Sequence, residues 1–147
     1  MTQYTHILVA IDFADSASTV LDKARQIAER NMAKLSLLHI VEYLPPIDSA
    51  YEPILASNWT VDETQLLSRA ESSLQQLSLQ HDLKNVDLNV VLGIPKHEIT
   101  QFVNEHQCDL VVMGSHGRHG ISLLLGSTAN AVLHDMPCDI LAVKIKA

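Results

Sequence analysis

The apolar positions change period in an orderly way along the chain. His6 to Ile11 (HILVAI) is nearly all apolar, the pattern of a strand covered on both faces, and Lys34 to Val41 (KLSLLHIV) reads as a second strand. Between them Val20, Leu21, Ala24, Ile27 and Ala28 recur at helical spacing, with Asp15 or Ser16 placed to cap. Strand, helix, strand is the unit of a parallel sheet with a right-handed crossover. Residues 42–61 show no clear period and hold Pro45, Pro46 and Pro53 beside Tyr43, Tyr51 and Trp59. So long a connection is either a functional flap over a ligand or a wandering surface loop. Thr60 and Glu63 fit a capping box, and Leu66, Leu67, Ala70, Leu74 and Leu77 predict the helix behind it.

Val86, Leu88, Val90 and Leu92 alternate, which predicts a third strand over 86–92. Gly93 turns the chain, and Pro95 suits the first turn of a helix bearing Ile99, Phe102 and Val103. Leu110 to Met113 reads as a buried fourth strand. Ala129, Val132, Leu133 and Met136 predict a fourth helix that Pro137 stops, and Ile140 to Ile145 (ILAVKI) predicts a fifth strand. Five strands alternating with four helices give one α/β layered domain spanning 1–147. Ligands bind such sheets beyond the carboxyl ends of the strands, where strand order reverses. Asp12, Ile40, Val41 and Gly114 all fall at such ends.

Composition narrows the partners. At 147 residues, 47% of them hydrophobic, the chain can bury a proper core. No apolar run approaches the roughly 20 residues needed to cross a bilayer. The start, MTQYTHILVAID, lacks an export signal, so a cytoplasmic protein without membrane contact is expected. A net charge of −7 with no window rich in Lys or Arg argues against nucleic acid. Cys108 and Cys138 are in no metal-type spacing and read as small buried thiols; a disulfide would require closeness in the fold.

The chemistry concentrates after the fourth strand, in DLVVMGSHGRHGISLLLGSTANAVLHDM (109–136). A strand, a loop with Gly114, Gly117 and Gly120, then Gly126-Ser127-Thr128 before a helix is an arrangement that holds phosphate. Glycines admit a close approach, and unpaired N–H groups at a helix start point at the anion. It is not a P-loop, since no Lys lies between Lys96 and Lys144, nor a GxGxxG dinucleotide fingerprint after the first strand.

These motifs resemble the universal stress protein family over the whole length. HILVAID is similar to that family's first strand, LLHIVE to its second, and DLVVMGSHGRHG with LLLGSTANAVLHDMPCDILAV to its signature. The family pattern has nine residues between its second and third glycines; here residues 118–125 make eight. The resemblance implies a Rossmann-like, open, doubly wound parallel sheet with helices on both faces and strand order 3-2-1-4-5. It implies an adenine nucleotide, AMP or ATP, with or without Mg2+. Ala10, Ile11 and Asp12 would edge the adenine and ribose site, and Ile40 would offer backbone groups to the adenine. Met113, Gly114 and Gly117 would line the ribose and first phosphate. Gly126, Ser127 and Thr128 would donate to phosphate oxygens, with Ser115, His116 and Arg118 in the same loop. The short spacing favours a mononucleotide over an ordered triphosphate.

Plainer roles stand beside these. The glycines can be turns, Ser127 an N-cap, Asp12 a turn tie and Arg118 a solvated cation. His116 and His119, with no Cys or clustered carboxylate beside them, make no metal site. His39 reads as a satisfied, partly buried histidine. With no Lys, metal carboxylate or evident base in the loop, a binding module is favoured over a slow ATPase or phosphotransfer enzyme. A nucleotide-free structural dimer is the third reading. The long apolar fifth strand, as an open edge, invites homodimer pairing through 140–145, with Val143 a residue whose ladder donor a proline would remove.

Overall fold

The computed structural model describes residues 3–13, 17–42, 63–83, 85–115 and 136–145. Its elements run β1 (His6–Ala10), α1 (Ala17–Asn31), β2 (Lys34–Glu42), α2 (Glu63–Gln80), β3 (Asp87–Gly93), α3 (Pro95–His106), β4 (Leu110–Gly114) and β5 (Asp139–Val143). The strands form one sheet in the order β3-β2-β1-β4-β5, every neighbouring pair parallel. The sheet order expected from the resemblance is the one observed.

Every residue of β1 and of β4 is buried, because side chains leave a strand alternately to its two faces and both faces are covered. Ile7, Val9, Leu37 and Val112 meet Val20, Leu21 and Ala24 of α1 and Leu74 of α2. Leu8, Ala10, Leu38, Val111 and Met113 go to the opposite face, where Ile99, Phe102 and Val103 of α3 pack. Helices therefore lie on both faces.

The three described helices end alike, and without glycine. Met32, Asp82 and Gln107 each take a left-handed conformation, with φ of 52°, 51° and 54°. In each case the next N–H reaches back five residues: Ala33 to Ala28 O (2.9 Å), Leu83 to Ser78 O (3.1 Å) and Cys108 to Val103 O (3.1 Å). The start of α3 follows the expected pattern, with extended Ile94 before Pro95 in the first turn. The expected caps Asp15, Ser16 and Thr60, the 43–61 part of the long connection and the helix through Ala129, Val132 and Leu133 lie outside the described residues.

Polar groups tie the lower end of the sheet together. Asp109 Oδ2 accepts the Thr5 N–H (2.8 Å) and Thr5 Oγ1 (3.1 Å), while its Oδ1 accepts the His6 N–H (3.0 Å). Burial pushes the Asp109 carboxyl upward, but these hydrogen bonds outweigh it and leave it below the usual carboxylate value. Inside, the His6 ring bridges two elements: Nδ1 donates to His106 O (3.0 Å) and Nε2 meets Ser36 Oγ (2.7 Å). The Ser36 hydroxyl also lies 3.4 Å from Asp87 Oδ2, which pairs with Lys34 Nζ at 2.8 Å.

Strand boundaries and one inference from the sequence need correcting: the first strand ends at Ala10 rather than Ile11, the second reaches Glu42 rather than Val41, and the fourth reaches Gly114 rather than Met113. The third strand covers 87–93 rather than 86–92, and the fifth runs from Asp139 to Val143 rather than from Ile140 to Ile145. The fifth is shorter because its neighbour's backbone ladder runs out: the Ile145 N–H is taken by the Ser115 side chain at 2.9 Å. Val143 is also the wrong position for probing the open edge. Its carbonyl accepts the Ser115 N–H (2.8 Å), and a strand residue directs its N–H and C=O to the same side. Val143 thus faces β4, and the donor of Ala142 faces outward.

Candidate functional site

The site grows from unequal strand lengths at the upper end of the sheet. β1 ends at Ala10, whose partner on β2 is Leu38, yet β2 continues through Glu42. On the other side Val9 pairs with Val112, and β4 continues through Gly114. The central strand therefore stops short between two longer neighbours, leaving a notch where the crossovers depart in opposite directions. The last ladder bond into β1 runs from Ile11 N–H to Leu38 O at 2.9 Å. Ile40, two residues on from Leu38, turns its peptide groups toward the same side, at the point where β1 leaves the sheet.

Seven of the residues singled out in the sequence gather here. Ala10, Ile11 and Asp12 close β1, Ile40 lies on β2, and Met113, Gly114 and Ser115 close β4. The side chains of Ile11, Ile40 and Met113 are fully buried, and both backbone groups of Ile11 are already paired, its N–H with Leu38 O and its carbonyl with His39 Nδ1. Asp12 and Ser115 are only half-buried. Ser115 has a structural duty that sequence reasoning missed: its hydroxyl oxygen accepts the Ile145 N–H. His116, Gly117, Arg118, Gly126, Ser127 and Thr128, with His119 and Gly120, lie outside the described residues.

The rim holds a further feature with no clear local signal. Phe13 follows the notch with φ of 59°, an uncommon conformation for a bulky side chain, and its ring meets the His39 imidazole at 4.2 Å between centroids. His39 Nδ1 donates to Ile11 O at 2.7 Å, since a carbonyl can only accept. The expected partly buried, satisfied histidine is found, and it fixes the turn out of β1. A separate groove of about 300 Å³ lies between α1 and α2, lined by Phe13, Ala17, Ser18, Ser73, Gln76, Leu77 and Gln80. Among the described residues no three His, Cys, Asp or Glu side chains cluster as metal ligands, and no helix is long and apolar enough to cross a membrane.

Comparison with known proteins agrees with this architecture. The sequence is similar to universal stress protein A homolog 2 of Coxiella burnetii, with 38% identity covering 99% of both chains. Homolog 1 of the same organism is 35% identical, covering 97% of this chain and 98% of its own. Among solved structures, a universal stress protein in complex with cAMP superposes with a TM-score of 0.61 at 25% identity, covering 97% of this chain and 98% of that one. The model of the universal stress protein family matches residues 3–144, nearly the whole length, and the chain belongs to that family.

Proposed function

We propose that this chain is a cytoplasmic stress-response module that holds an adenine nucleotide, AMP or ATP, in the notch above β1 and signals as a homodimer. The observation that carries the reading is the short central strand. It leaves the backbone of Ile40 and Gly114 on either side of the space beyond the end of β1, with the glycine-rich segment following Ser115 in the sequence. Backbone amides and a flat crevice suit a purine and ribose, and the glycine loop through Gly117, Arg118, Gly126, Ser127 and Thr128 suits phosphate. The similar protein solved with cAMP supports an adenine compound as the ligand class. Asp12, half-buried at the strand end, would accept from ribose hydroxyls. β5, at one edge of the sheet, supplies the surface for a second copy.

The test starts from protein purified without added nucleotide. Denaturation and chromatography with mass analysis identify any released adenine compound. Calorimetric titrations with AMP, ADP and ATP, each with and without Mg2+, measure binding directly. Stoichiometric release or binding, lost in Gly114→Val, is the expected result. No released nucleotide and no binding heat would leave a nucleotide-free dimer. Mg2+-dependent phosphate release abolished by Gly114→Val would make the protein a slow ATPase instead.

A further inference from the structure

The fold places the chain's two cysteines on the same side of the sheet, at the starts of adjacent strands. Cys108 follows α3 and leads into β4, where the turn through left-handed Gln107 fixes it by its N–H bond to Val103 O. Cys138 leads into β5. Both pack against the apolar cluster under α3, Cys108 as a buried member at 6% exposure and Cys138 as a half-buried neighbour. Leu110 pairs with Asp139, so the two cysteines precede facing strand starts, Cys138 by one residue and Cys108 by two. Within that cluster the Cys138 charge lies close enough to the Cys108 thiol to raise it, so the two sulfurs are near neighbours.

We infer that Cys108 and Cys138 are a thiol pair that a low-molecular-weight disulfide converts reversibly into an internal cross-strand disulfide between the starts of β4 and β5. The exchange balances in two steps. The Cys138 thiolate attacks the small disulfide RSSR, forming a mixed disulfide and releasing RS−. The Cys108 thiolate then attacks the Cys138 sulfur and releases the second RS−. The two protein thiols give up two electrons and two protons, and RSSR leaves as two RSH.

Cys138 is the entry point because it is the more exposed of the two. Burial pushes its thiol up to about 11, helped by Asp139 and Asp109. Burial pushes Cys108 up to about 12, helped by the charge of nearby Cys138 and by Asp109. Both thiols thus stay protonated at neutral pH, and the pair responds to sustained oxidation rather than to brief exposure. The bond would close a covalent loop over residues 109–137, which holds β4 and the whole glycine segment. Its effect on ligand binding rests on the nucleotide reading; its formation does not.

The test treats the full chain, fully reduced, with oxidised glutathione at about pH 7 and about pH 9. Intact mass and a non-reducing digest are followed over time. The expected product has lost two hydrogens, carries a linked Cys108–Cys138 peptide and reverts with dithiothreitol. Its formation is roughly 100-fold faster at the higher pH, following the thiolate fraction. A stable glutathione adduct on Cys138, a link between two copies, or unchanged thiols at pH 9 would overturn the proposal. Cys138→Ser keeps the size at a half-buried position and is expected to leave Cys108 unmodified; ready modification there would also overturn it. AMP titration of both forms separates the two ideas. A changed affinity supports control of the site, and an unchanged one removes that link. No AMP binding by either form would sink the nucleotide reading while the mass data still decide the disulfide.

Discussion

Asp109 is the most consequential side chain that the binding argument does not use. Replacing it with Ala removes three hydrogen bonds from one carboxylate, two at Thr5 and one at His6. Bonds to a charged acceptor contribute about 1.5–3 kcal/mol each when sheltered. The two at Thr5 are exposed and exchange with water, so together they are worth about 1 kcal/mol. The His6 N–H belongs to a buried residue and would lose its acceptor, which costs about 1–2 kcal/mol. The total loss is about 2–3 kcal/mol. Asp109→Asn keeps one acceptor oxygen but turns an amide N–H2 toward one of the donors, so it loses about half as much or more.

The pH dependence follows from the sign of the shift. The folded carboxyl titrates below the ordinary 3.8 of an unfolded Asp. Its contribution is therefore complete above about pH 4 and is lost as pH falls through the lower folded value. Urea unfolding followed by far-UV circular dichroism, at about pH 7, 5 and 3, measures the gap between the natural protein and Asp109→Ala. The gap should be full at the first two and smaller at the third. A neutral-pH gap under about 0.5 kcal/mol would refute the assignment, as would a gap that does not narrow in acid.

Further outcomes follow from other parts of the fold. Ser115→Ala removes the acceptor of the Ile145 N–H and should cost about 1 kcal/mol, with faster hydrogen exchange at the Ile145 amide than at Leu141. Met32→Gly relieves a left-handed residue that is 89% exposed, and should raise stability by about 0.5–1 kcal/mol in urea melts. If the homodimer pairs through β5, Ala142→Pro should give monomers by sedimentation. Val143→Pro should instead lower the thermal midpoint, since it breaks the inner ladder to β4. A dimer unchanged by Ala142→Pro would retire the strand-pairing arrangement.

How much of this was legible depends on how far each signal reaches along the chain. β1 and β4 could be read because burial on both faces makes a strand continuously apolar. β3 showed alternation and was found within one residue of its expected limits. The ends of the helices were harder: Met32, Asp82 and Gln107 do what glycine usually does, and nothing in those residue types announces it. The gathering of Ala10, Ile11, Asp12, Ile40, Met113, Gly114 and Ser115 could be foreseen, because an open parallel sheet puts strand ends together. The second duty of Ser115, the Phe13–His39 contact and the Asp109 bonds could not. Each joins residues far apart in sequence, and no local period records such a partner.

The polar cluster at the foot of the sheet answers a problem that a doubly covered strand creates for itself. Where one face is wet, a slip of one residue drives apolar groups into water and is strongly opposed. HILVA is buried on both sides, so a slipped β1 would still present oily groups to both helical layers. The His6–Ser36 bond and the Asp109 grip on Thr5 and His6 break that degeneracy, because a slip would strand a buried imidazole and a buried hydroxyl. They act as a vernier: the mark that aligns the strands is cut at one end of the scale, and the reading is taken at the other, where Ala10 must stop level with Leu38.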